Sequence, residues 1–79
     1  HMHPVEVTAL FATDGTITPL HFRWHGSLYR VESTGRHWHA DDGYHILVMT
    51  SSGQATELIF AVPEYRWYLS HPGSKPIAI

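Results

Sequence analysis

Hydrophobic and polar residues alternate along most of this chain instead of recurring every three or four positions, and turn signals interrupt the alternation every eight to ten residues. That is the pattern of an antiparallel β meander. The stretch TDGT predicts a two-residue hairpin loop at Asp14-Gly15, because both residues tolerate the positive φ of a type I′ turn. Such a loop sets Phe11 opposite Thr18, Ala9 opposite Leu20, Val7 opposite Phe22 and Val5 opposite Trp24, all on one face. His25-Gly26 predicts a second two-residue turn. Asn or Asp is preferred over His at its first position, yet the register agrees, with Phe22 facing Tyr29 and Leu20 facing Val31. A turn at Thr34-Gly35 would then set Val31 opposite Trp38. Three turns select one apolar surface: Val5, Val7, Leu20, Phe22, Trp24, Tyr29, Val31 and Trp38.

The run YHILVM (Tyr44 to Met49) is apolar on both faces after His45, which predicts a central strand or one covered on its second side. A three-residue loop at Ser51-Ser52-Gly53 places Ile46 against Leu58 and Tyr44 against Phe60. Pro63 cannot donate a ladder hydrogen bond, so the strand carrying ELIFAV should end or bend there. YRWYL predicts a short last strand with Tyr65, Trp67 and Leu69 on one face. The expectation is an all-β fold, a six- or seven-stranded antiparallel meander forming a strongly bent sheet or small open barrel. Residues 1–3 are read as a tag remnant and start, 4–69 as a single β domain, and 70–79, with two prolines and no period, as a C-terminal tail.

Composition narrows the function classes. Seventy-nine residues are near the lower limit for a core without a disulfide, a metal or a partner chain. With no cysteine, disulfides and thiolate sites are excluded, which fits a reducing compartment. No apolar run approaches the roughly 20 residues that span a bilayer, and no signal pattern is seen, so a cytoplasmic location is expected. A formal charge of −2 provides no field for phosphate backbones, although the eight histidines would shift the balance below about pH 6.

Trp24, Gly26, Tyr29 and Val31 in WHGSLYRV, followed by Trp38, HILVMT, TELIF and a closing RWYL, give a pattern that resembles a group of small bacterial β-proteins of unknown function. Its members begin with a Trp-x-Gly-x-x-Tyr-x-Val hairpin and finish on a Trp-Tyr-Leu strand, and some accompany DNA-repair polymerases in their genomes. The resemblance spans about residues 20 to 69. It implies Trp24, Tyr29, Val31, Trp38 and Trp67 as core, and a bacterial accessory protein with no established catalytic motif. Histidines at 37 and 39 are not part of the pattern.

Candidate chemistry concentrates in RHWHADDGYH. A three-residue loop at Asp41-Asp42-Gly43 puts His39 opposite His45 and His37 diagonal to it, with Cβ atoms about 5 and 7 Å apart, close enough for three imidazoles to meet one Zn²⁺. A two-residue or four-residue loop moves His45 to the Trp38 face and breaks the trio. The main expectation for these histidines is an exposed or subunit-facing position with no cofactor. Asp41 and Asp42 are read as turn caps, and no nucleophile elbow, phosphate loop or His-Glu-x-x-His is present, so no enzyme is expected. A nucleic-acid surface would rest on Arg23, Arg30, Arg66 and Tyr68, a thin set. Leu47, Met49 and Ile59 fall on the face opposite the main core, where a bent sheet leaves them in water. They point to a homodimer or another protein partner, and so to a non-catalytic interaction module.

Overall fold

The computed structural model describes residues 2–70; His1 and residues 71–79, and with them nearly all of the expected tail, lie outside these. Six antiparallel strands follow one another: β1 (Met2–Phe11), β2 (Ile17–Trp24), β3 (Ser27–Ala40), β4 (Gly43–Thr50), β5 (Ala55–Ala61) and β6 (Arg66–Ser70). Each pairs with the next, and β6 returns to β1 through Met2↔Ser70, His3↔Leu69, Pro4↔Tyr68 and Val5↔Trp67. The barrel is therefore closed, and closure gives every strand a partner on both flanks. Phe22, Ile46, Val48, Leu58, Trp67 and Leu69 fill its interior, with Val5, Val7, Ala9, Trp24 and Tyr29 packed around them.

The His25-Gly26 turn forms as predicted, with His25 at φ 52, Trp24 opposite Ser27, and the rings of Phe22 and Tyr29 stacked at 5.3 Å. The first hairpin differs in an instructive way. Its loop is Thr13-Asp14-Gly15: the Ala12 N–H donates to the Thr16 carbonyl at 2.9 Å and the Gly15 N–H to the Ala12 carbonyl at 3.0 Å. The Asp14 carboxylate accepts from both the Thr16 N–H (3.0 Å) and hydroxyl (2.6 Å), which favours this wider turn and lowers the Asp14 pKa. One extra residue shifts the register, so Phe11 meets Ile17 and Ala9 meets Pro19. A bulge then restores it. Pro19 has no N–H for the ladder, Leu20 is left without an opposite residue and turns to solvent, and Val7 meets Phe22 after all.

No turn forms at Thr34-Gly35. β3 runs unbroken for 14 residues and absorbs the barrel's curvature in two register shifts, between Val31 and Ser33 and between Thr34 and His37. Glycine within a strand here serves a bulge rather than a reversal. Two expected positions change as a result. Val31 lies opposite Thr50, and Trp38 points out of the barrel opposite His45 instead of joining the core.

From β4 onward the predicted register holds. The Ser51-Ser52-Gly53 loop closes with Thr50 and Gln54 hydrogen-bonded, Ile46 faces Leu58, and Tyr44 faces Phe60. Pro63 ends β5 in a single 3₁₀ turn, Val62–Glu64. Trp67 and Leu69 point inward, but Tyr65 does not share their face: it caps the turn in the left-handed region at φ 55 and is 85% exposed.

Candidate functional site

The loop between β3 and β4 has two residues, Asp41 and Asp42, with Ala40 opposite Gly43. Gly43 belongs to the ladder because β5 approaches it closely. A Cβ built there would lie 2.3 Å from the Phe60 carbonyl oxygen, and its φ of +141° suits glycine. The absence of a side chain at 43 serves this approach rather than a third loop position. His39 consequently faces Tyr44, His37 faces Ile46 and His45 faces Trp38.

That single residue of register separates the histidines. His37 and His39 stay on the Tyr44 face, where His37 Nδ1 and the Tyr44 hydroxyl share a 2.8 Å hydrogen bond and the His39 ring lies 4.7 Å from the Tyr44 ring. His45 is on the other face. The three do not converge, and among the described residues no group of three or more His, Cys, Asp or Glu side chains is arranged to hold a metal ion.

His45 instead sits in a row that crosses four strands on the outside of the barrel: Trp38, His45, Ile59, Tyr68. The Trp38 and His45 rings are stacked at 5.1 Å, and the Arg36 guanidinium lies 5.2 Å from the centre of the Trp38 ring. Both imidazole nitrogens are occupied by carboxylates, Nδ1 by Glu57 Oε2 and Nε2 by Asp42 Oδ1 at 2.6 Å. Burial, the largest single effect, disfavours the charged ring. Hydrogen bonds and charge from Asp42 and Glu57 together outweigh it and raise the His45 pKa above its ordinary 6.5. The hydrogen bond from His45 holds Asp42 below its ordinary 3.8. With both nitrogens bonded, the ring has no lone pair for a metal and no vacancy for proton abstraction. The arrangement is a charged clasp that ties the β3–β4 turn to β5. The β4–β5 register, already legible, puts Glu57 diagonal to His45. The missing signal was the loop length.

Leu47 and Ile59 do point outward, beside this clasp, but they are only 5% and 2% exposed, and Met49 is half-buried. The premise that a bent sheet leaves this set in water does not hold. The basic set lies on strands to either side of β1. Arg23 and Arg30 lie on β2 and β3, while Arg66 and Tyr68 lie on β6, with β1 between the two groups. Glu6 stands opposite Arg23, and the Tyr68 hydroxyl donates to Glu64 at 2.6 Å.

Exposed apolar side chains gather instead at the barrel end formed by the turns 12–16, 41–42 and 62–65. Leu10, Phe11, Val62 and Tyr65 are all exposed there. Phe11 meets Phe60 edge-on at 5.7 Å, next to the turn that carries Val62 and Tyr65. No protein family, curated protein or solved structure matches this chain. Among the described residues no helix is long and apolar enough to cross a membrane.

Proposed function

We propose that the barrel is a non-catalytic interaction module that pairs with a second copy of itself through the end carrying Phe11, Val62 and Tyr65. Tyr65 is the observation that carries this reading. A left-handed backbone at a residue other than glycine costs on the order of 1 to 2 kcal/mol, and an aromatic ring 85% exposed returns almost nothing to the fold. Strain without a packing return is expected where a residue serves a partner, and tyrosine and phenylalanine are enriched in interface cores. The cysteine-free composition supports a reducing compartment such as the cytoplasm, and the likeness to small bacterial β-proteins supports an accessory role.

Asp14, Asp41 and Glu64 occupy the turns at the same end, so like charges oppose pairing of two such ends at low salt. Association should accordingly tighten as salt is added. Sedimentation measurements on the intact chain test this. The wild type should dimerise with a salt-strengthened constant, and Tyr65→Gly should be monomeric while melting no lower than wild type, since glycine relieves the positive φ. A wild type that stays monomeric at every accessible concentration, or a Tyr65→Gly variant that dimerises as well as wild type, overturns the proposal.

A further inference from the structure

Closure of the barrel does not pair β3 along its whole length. Its ladder with β2 covers only Ser27 to Arg30, opposite Trp24 to His21. From Val31 to Ala40 its ladder partner among the described residues is β4 alone. Two bulges distort the first part of this open edge and leave His37 to Ala40 as a regular stretch of four residues. Four pairs are also what closes the barrel between β1 and β6. Bare strand edges are templates for another chain, and bulges are one of the means that blunt them. The last four residues of β3 lack that protection.

Ala40 and Gly43 close the two-residue turn as a hydrogen-bonded pair, and bonding alternates from there along the ladder. Ala40 and Trp38 therefore bond to β4, whereas His39 and His37 turn their N–H and C=O groups toward the open edge. Both histidines are exposed, and their rings lie on one face with Tyr44. Antiparallel residues that stand opposite each other share a face, which restricts how a second copy can pair here. A two-fold axis at Trp38 sets His37 of each copy opposite His39 of the other, and each such pair exchanges two backbone hydrogen bonds. Moving the axis to His37 or His39 sets a histidine against the bulge at Gly35 or the turn at Asp41. Centred on Trp38, the register also brings the two indoles together on the outer face and lays Arg36 beside Asp41 of the second copy, so the charges agree.

The same register assembles a site that one chain lacks. Opposite Cβ atoms are about 5 Å apart, and His37 and His39 are about 7 Å apart along the strand, so four imidazoles surround the axis. Four nitrogens so placed can meet one tetrahedral Zn²⁺ at about 2 Å. His37 is already oriented for this. Its Nδ1 is hydrogen-bonded to the Tyr44 hydroxyl at 2.8 Å, which leaves Nε2 for the metal. With the ion on Nε2, the ring proton sits on Nδ1 and is donated to the Tyr44 oxygen, the support that metal-bound imidazoles need. We propose that His37 and His39 of two copies bind a divalent transition-metal ion such as Zn²⁺ between paired β3 edges. His45 takes no part, and neither do Phe11, Val62 and Tyr65.

Tyr65→Gly leaves this edge intact and removes the other pairing surface, so it is the chain to titrate with Zn²⁺. In sedimentation its mass should double when Zn²⁺ is added and fall back on chelation, with one ion bound for two chains. Mg²⁺, which imidazole binds poorly, should do nothing. Histidine NMR should show the His37 and His39 rings shifting and the His45 ring unmoved. Adding His39→Gln, at an exposed position, should abolish both binding and doubling. Arg36→Glu, which sets like charge beside Asp41 of the second copy, should weaken the doubling although every ligand is still present. One ion bound by a single chain, a mass that Zn²⁺ does not double, or doubling that survives His39→Gln overturns the proposal. The end-on pairing is judged in the zinc-free protein, so the two surfaces fail separately.

Discussion

β4 and β5 bury both of their faces, and the two faces do so by different physics. Toward the barrel interior, Ile46, Val48 and Leu58 are buried in the apolar core. Toward the outside, Leu47 and Ile59 are buried almost as fully, yet between their strands stands an imidazole bonded to two carboxylates. The interior is held by dispersion and the removal of apolar surface from water, neither of which depends on proton concentration. The outer face depends on charge as well. Burial alone does not say how a surface is held, and the two kinds of face should separate when pH is the variable.

The largest effect is expected from Leu58→Ala. Truncating a fully buried leucine at the centre of a small barrel should cost about 2 to 5 kcal/mol, enough to leave much of the chain unfolded near body temperature. Its cost, read from denaturant melts, should be the same in mildly acidic and alkaline buffer. A strongly pH-dependent loss would erase the distinction between the faces. Gly43→Ala comes next, at about 1 to 3 kcal/mol, because the added Cβ meets the Phe60 carbonyl oxygen from a backbone conformation that disfavours side chains. It should also disturb the clasp, which depends on the register Gly43 allows. The check is the His45 ring resonances. If they are unchanged while stability falls, the glycine serves packing alone.

Glu57→Gln addresses the outer face directly. His45 has a folded pKa above its ordinary value, so the stability it contributes is complete below pH 6.5 and is lost as pH rises through the folded pKa. Asp42, with a lowered pKa, contributes stability that is complete above 3.8 and is lost as pH falls through its folded value. The clasp should thus be strongest between these two limits. Neutralising Glu57 should cost about 1 to 2 kcal/mol at about pH 5.5 and progressively less from there toward about pH 9 as the pH rises through the raised folded pKa of His45. Melting temperatures of wild type and variant across that range supply the test; parallel curves would mean that the carboxylate acts by shape alone.

The same strands show what was legible in the sequence. Ile46 opposite Leu58 and Tyr44 opposite Phe60 follow from a Ser-Ser-Gly loop and an apolar run, because turn chemistry and hydrophobic alternation agree there. Val7 opposite Phe22 was also legible, though by cancellation, since the longer first loop and the bulge at Leu20 each displace the register by one residue in opposite directions. Glycine was the weak point. Gly35 lies in a bulged strand and Gly43 lies under a neighbouring backbone, and neither role has a local signature that separates it from a turn. The histidine chemistry followed the second of these. With Gly43 in the ladder His45 crosses to Trp38, and a metal trio becomes an ion pair with Glu57.

The smallest effect sharpens the comparison most, because it has the opposite sign. Each face of β5 carries a polar side chain in buried surroundings. Glu57 on the outer face has a partner, and Thr56 Oγ1 on the inner face has none. Removing a satisfied group leaves its partner stranded, whereas removing an unsatisfied hydroxyl relieves a desolvation penalty that nothing offsets. Thr56→Val should therefore stabilise the free protein, by about 0.5 to 1 kcal/mol, and equally at every pH at which Glu57→Gln shows its changing cost. A destabilised Thr56→Val would mean that the hydroxyl is bonded in solution, and the inner face would then be held by polar contacts as the outer face is.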